Sequence, residues 1–85
     1  MVEKKFVGNI IHFFPKPSVA VLELEGVLKN GDKISIERGE DAFEQVVSSM
    51  QIEHENIAEA KPGQSIGLKV EQPTKEGAKV YKVIE

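Results

Sequence analysis

The stretch Leu24-Glu25-Gly26-Val27-Leu28-Lys29-Asn30-Gly31-Asp32-Lys33-Ile34-Ser35-Ile36 decides how this chain is read. Two glycine-bearing corners flank a short apolar pair, and Ile34 and Ile36 then open an alternation of period two. A chain leaves one β-strand, turns tightly and enters another in this way. A second corner of similar chemistry lies at Ala58-Glu59-Ala60-Lys61-Pro62-Gly63-Gln64-Ser65-Ile66-Gly67. Together the corners point to a small β-barrel, with Gly31, Gly63 and Gly77 at turns that need positive φ.

The rest of the pattern agrees. Phe6 to Phe14 is an apolar run that ends at Pro15-Lys16-Pro17-Ser18, because proline cannot donate to a ladder. In Val19 to Leu24, residues Ala20, Leu22 and Leu24 share one face, and Val21 and Glu23 the other. Lys33 to Ile36 is a third strand, followed by the polar turn Arg38-Gly39-Glu40-Asp41. Ser65 to Val70 points Ile66, Leu68 and Val70 inward, and Ala78 to Ile84 closes the chain. Residues 42–52 read both ways. Ala42, Phe43, Val46, Val47 and Met50 recur at helical spacing, with Asp41 and Glu44 imitating a capping box. The same residues also divide, less tidily, into two faces of a strand. About six strands with turn signals every ten residues or so suit an antiparallel barrel or sandwich, and closure removes exposed edges. The sequence shows no internal repeat or linker.

Composition bounds the function classes. The 85 residues suffice for one domain and one core. There is no cysteine, which rules out disulfides and thiolate metal sites and suits a reducing, cytoplasmic setting. No apolar run resembles a signal peptide or a membrane span. Net charge is −3, and the segment Glu37 to Glu59 holds seven acids against Arg38 alone. The strongly basic footprint of a free-standing nucleic-acid binder is missing.

No catalytic constellation is visible. Ser48-Ser49 has no neighbouring base, and the carboxylates Glu23 and Glu25 read as a solubilising surface. His12 reads as a hydrogen-bonded rim residue and His54, in Glu53-His54-Glu55, as a solvated loop histidine, so no metal site is expected. Gly26 to Lys33 imitates a phosphate-binding loop, but Asp32 stands where the phosphates need a lysine and a strand follows instead of a helix. The expectation is a chain that is not an enzyme, with no cofactor and no bound nucleotide.

The corner Glu25 to Ile34 resembles the second domain of translation GTPases such as elongation factor Tu and initiation factors. The likeness continues through Val47-Ser48-Ser49-Met50-Gln51-Ile52, Glu59-Ala60-Lys61-Pro62-Gly63-Gln64-Ser65-Ile66-Gly67-Leu68 and Glu76-Gly77-Ala78-Lys79-Val80. It departs at Phe14-Pro15-Lys16-Pro17, where that family has a glycine-rich connection. The resemblance implies a closed, six-stranded Greek-key barrel, makes residues 42–52 a strand, and implies a role in translation. The partner would be ribosomal or transfer RNA, or a translation or ribonucleoprotein protein, bound by a monomer.

Two surfaces are candidates for such binding. Phe14, Pro15 and Lys16, joined by Lys29 and Lys33, could stack on a base while ammonium groups meet phosphate. The acidic side, with Glu53, Glu55 and Glu59, could dock a basic protein. The alternative is accordingly a protein-assembly module, like the barrel appended to collagenase-like peptidases or the small subunit of box H/ACA guide ribonucleoproteins.

Overall fold

A computed structural model describes residues 3–52 and 55–84. The described residues contain no helix. Ten strands follow in chain order: β1 (Glu3–Phe14), β2 (Val19–Leu24), β3 (Leu28–Lys29), β4 (Lys33–Arg38), β5 (Asp41–Val46), β6 (Met50–Ile52), β7 (Glu55–Ile57), β8 (Glu59–Ala60), β9 (Ser65–Lys69) and β10 (Lys79–Ile84). Eight form one antiparallel sheet in the order β5-β4-β10-β1-β2-β9-β6-β7, and β3 pairs with β8 beside it.

The long strand β1 is the hinge of this arrangement. Its first half pairs with β10, from Glu3 opposite Ile84 to Asn9 opposite Lys79. Its second half pairs with β2, from Gly8 opposite Leu24 to Phe14 opposite Val19. Register slips between Phe6 and Gly8, and again between Ile10 and His12. Each bulge turns two consecutive side chains to one face. Val7 and Gly8 both point inward, whereas Ile11 and His12 both point out. The bulges explain why the apolar run Phe6 to Phe14 does not alternate.

The three glycine corners are one device used three times. Lys29-Asn30-Gly31-Asp32, Lys61-Pro62-Gly63-Gln64 and Lys75-Glu76-Gly77-Ala78 each close with the fourth N–H donating to the lysine carbonyl, at 3.1, 3.2 and 3.3 Å. Glycine in the third position has φ of 91°, 88° and 88°, the backbone of a type II turn. Each glycine N–H donates to a carbonyl of a buried apolar residue, and that residue's N–H donates to the fourth residue of the turn. The clasped residues are Val47, Leu24 and Ile10, with bonds of 2.8–2.9 Å. The chain thus has a structural repeat that its letters conceal, because only the lysine and glycine recur. Asp32 also acquires a task here, accepting the Lys29 N–H at 2.9 Å and pairing with Lys82 Nζ at 3.2 Å.

The core fills the concave face. Ala20, Leu22 and Leu24 of β2 meet Ile66 and Leu68 of β9, Ile34 and Ile36 of β4, and Met50, all essentially without solvent contact. Each of the Leu, Ile and Met side chains stabilises the fold by about 1.5–3 kcal/mol relative to exposure. Residues 42–52 are extended, as β5 and β6 with three residues between them.

The closed six-stranded barrel is corrected. The ladder ends at β5 on one side and β7 on the other, and no backbone ladder among the described residues joins them. The sheet nevertheless curls until β5 reaches β9, and a side chain spans the gap. Gln45, 5% exposed, donates from Nε2 to Lys69 O at 2.9 Å and accepts the Glu71 N–H on Oε1 at 2.8 Å. An amide replaces a ladder there because the strand direction breaks at Val47, whose backbone is committed to the Gly31 turn.

Candidate functional site

The β4–β5 hairpin turns through Gly39-Glu40 with Gly39 at φ 61°, the arrangement of a type II′ turn. This tip and the connection from β9 to β10 enclose one mouth of the curled sheet. Two adjoining hollows open there, of about 160 and 420 Å³. Ile36 and Phe43, which face each other across β4 and β5, floor the first, and Phe13 of β1 floors the second. Phe13 and Phe43 are half-buried, with their backs against the core. Arg38, Thr74 and Lys75 border both hollows, Asp41 and Pro73 the first, and Glu76 the second.

Several lysines of the described residues form ion pairs. Lys4 pairs with Glu37 at 2.7 Å, Lys29 with Glu59 at 3.5 Å, Lys33 with Glu44 at 3.5 Å, and Lys82 with Asp32. Arg38 and Lys75 have no ion pair among the described residues. Glu76 is taken up by His12, whose Nδ1 lies 3.0 Å from its carboxylate. That contact matches the rim role expected of His12 and ties β1 to the Lys75 turn. His54 lies outside the described residues.

The expected basic set is distributed along the chain rather than gathered. Phe14, 46% exposed, stands edge-on to His12 with ring centroids 4.4 Å apart, and Lys16 is exposed in the loop beyond it. Lys29 and Lys33 flank the Gly31 turn, and each already faces a carboxylate. Of the acidic set, Glu55 is exposed on β7 and Glu59 forms the ion pair with Lys29, so the two candidate surfaces partly neutralise each other. Glu53 lies outside the described residues. Sequence reading passed over the mouth. Phe13, Arg38, Phe43 and Lys75 are far apart in the chain, and Arg38 was legible only as a lone base in an acidic segment.

Among the described residues no three His, Asp or Glu side chains converge as a metal site would require, and no helix is long and apolar enough to cross a membrane.

No protein-family model matches the chain. Over 76 residues, 88% of its length, it is 41% identical to an uncharacterized protease of Methanocaldococcus jannaschii, and it spans only 19% of that protein. Two crystal structures of the C-terminal domain of a Geobacillus thermoleovorans protein assigned as a U32 peptidase superpose with TM-scores of 0.84 and 0.85. Both are 22% identical; they cover 89% and 92% of this chain, and 96% and 91% of the domain is matched in return. The fold is therefore shared with that domain.

These likenesses overturn the kinship with the second domain of translation GTPases, and with it the translation and elongation-factor reading. The motifs that suggested it are Lys-Xaa-Gly turns and their flanking alternation. They encode how a chain bends between strands, a need common to unrelated small β-folds. The chain is thus similar to part of one protein named as a protease, and it shares its fold with the C-terminal domain of a protein assigned as a U32 peptidase.

Proposed function

We propose that this chain is a non-catalytic protein-assembly module of the kind appended to U32-type peptidases, holding a catalytic chain or its substrate by surface loops on a rigid sheet. The observation that carries the reading is the pairing of 41% identity to part of a protease with a shared fold at TM-scores of 0.84–0.85. The chain matches 19% of that protease's length, which suits one task among those of a larger protein. Rigid strands with recognition confined to the turns at the sheet ends suit docking.

Affinity capture from lysate of the chain's own cells, with and without ribonuclease, tests this. The expected result is co-purification of a peptidase-type chain, identified by mass spectrometry and unaffected by ribonuclease. Recovery of RNA alone, or hydrolysis of peptides by the purified chain, overturns it.

A further inference from the structure

We infer that Asn30-Gly31 is a self-modification site, an asparagine that the closed turn keeps intact and that deamidates once the clasp on Val47 opens. Of the three asparagines, Asn9 and Asn56 precede isoleucine, whose branched side chain crowds the following main-chain nitrogen. Asn30 alone precedes glycine, and it is exposed. Even a Cβ at Gly31 would meet nothing within 4 Å, so the approach to that nitrogen is open.

The chemistry needs only water. The Gly31 amide loses its proton to water, and its nitrogen attacks Asn30 Cγ. A bond forms between them, the Cγ–Nδ2 bond breaks, and ammonia leaves with the proton, which closes a five-membered imide. Water then adds to one of the two ring carbonyls. If the nitrogen's bond to Cγ breaks, aspartate results. If its bond to the main-chain carbonyl carbon breaks, iso-aspartate results, and the backbone then runs through Cβ and Cγ.

The closed turn opposes the first step in three ways. The Gly31 N–H is committed to Val47 O at 2.8 Å. Asn30 is fixed by its main-chain N–H to Ala58 O at 2.9 Å, and its Nδ2 is drawn toward Ile57 O at 3.4 Å. Ring closure also needs Asn30 ψ of about −120°, whereas the second residue of a type II turn holds about +120°. Opening the turn releases all three, and the change is one-way. Iso-aspartate lengthens the main chain inside the turn that sets the Asp32 N–H against Lys29 O, so Gly31 no longer presents its N–H to Val47.

The test incubates the purified chain, and separately a synthetic peptide of residues 27–34, in warm, mildly alkaline buffer. Intact mass reads the exchange of NH for O, and peptide mapping locates the iso-aspartate. The peptide is expected to convert, and Asn30 of the native chain to convert about tenfold or more slowly. Urea below the unfolding transition should raise the native rate in step with hydrogen exchange of the Gly31 amide, leaving Asn9 and Asn56 intact. The iso-aspartyl chain, separated by ion exchange through its added negative charge, should exchange that amide about tenfold or more faster than the native chain. Asn30→Gln, whose longer side chain disfavours the ring, should stay unmodified with an unchanged thermal melt. A peptide that stays intact, native conversion as fast as the peptide's, or earlier conversion at Asn9 or Asn56 overturns the inference. So does a rate indifferent to urea while the Gly31 amide opens, or an unaltered Gly31 amide in the modified chain.

Discussion

Two glycines in this chain are indispensable for opposite reasons, and substitution separates them. At Gly63 a Cβ would meet nothing within 4 Å, but φ is 88°, where side chains are strained. Gly63→Ala should lower stability by about 1–2 kcal/mol through the backbone alone. At Gly8 the backbone is ordinary, but a Cβ would stand 2.3 Å from the Glu23 carbonyl oxygen across the β1–β2 pair. Gly8→Ala has to push two strands apart, at a cost of about 1–3 kcal/mol or more. Thermal or urea unfolding of the two variants checks both numbers. Gly63→Asn, which tolerates the left-handed region, should recover part of the first loss, whereas Gly8→Asn recovers nothing.

Among elements, β1, β10 and β4 are laced on their outer face. Lys4 of β1 reaches past β10 to Glu37 of β4, which also accepts the Ser35 hydroxyl at 2.9 Å, while Phe6 and Tyr81 stack edge to face nearby. The hydrogen bond from Lys4, and after it that from Ser35, holds the Glu37 carboxyl below its ordinary 4.5. The same bond raises the Lys4 ammonium above 10.5. A lowered carboxyl stabilises the fold above its ordinary range, and the gain is lost as pH falls through the lowered value. A raised amine stabilises below 10.5, and that gain is lost as pH rises through the raised value. Both groups are open to water, so salt screens the pair. A carboxyl titration followed by NMR should place the Glu37 midpoint below 4.5 in the native chain and nearer to it in Lys4→Ala. Much of the element pattern was legible beforehand. The inward faces of β2 and β9 follow from alternation, and the positive φ at Gly31, Gly63 and Gly77 from turn chemistry. The bulges in β1 were not legible, because a run such as Phe6 to Phe14 has no polar letter in every second place to expose a slip. Nor were β3, β7 and β8, whose two or three residues are too short to carry a period. The mouth escaped because no local signal links Phe13, Arg38, Phe43 and Lys75.

For the molecule as a whole, the seam between β5 and β9 decides how the sheet behaves. Gln45→Leu keeps a comparable volume but leaves Lys69 O and Glu71 N–H without the Gln45 bonds. The expected loss is about 1–3 kcal/mol. Hydrogen exchange should show the Glu71 amide opening first, with the β1–β10 and β1–β2 ladders at the centre of the sheet the last to exchange. Exchange at Glu71 unchanged from the native chain would mean that the seam is held by something other than that amide. The Lys-Xaa-Gly turns carry a consequence of another kind. Each grips its apolar residue with main-chain atoms, so the identities of its first two side chains are irrelevant to the grip. Those letters can be rewritten while the scaffold beneath stays put.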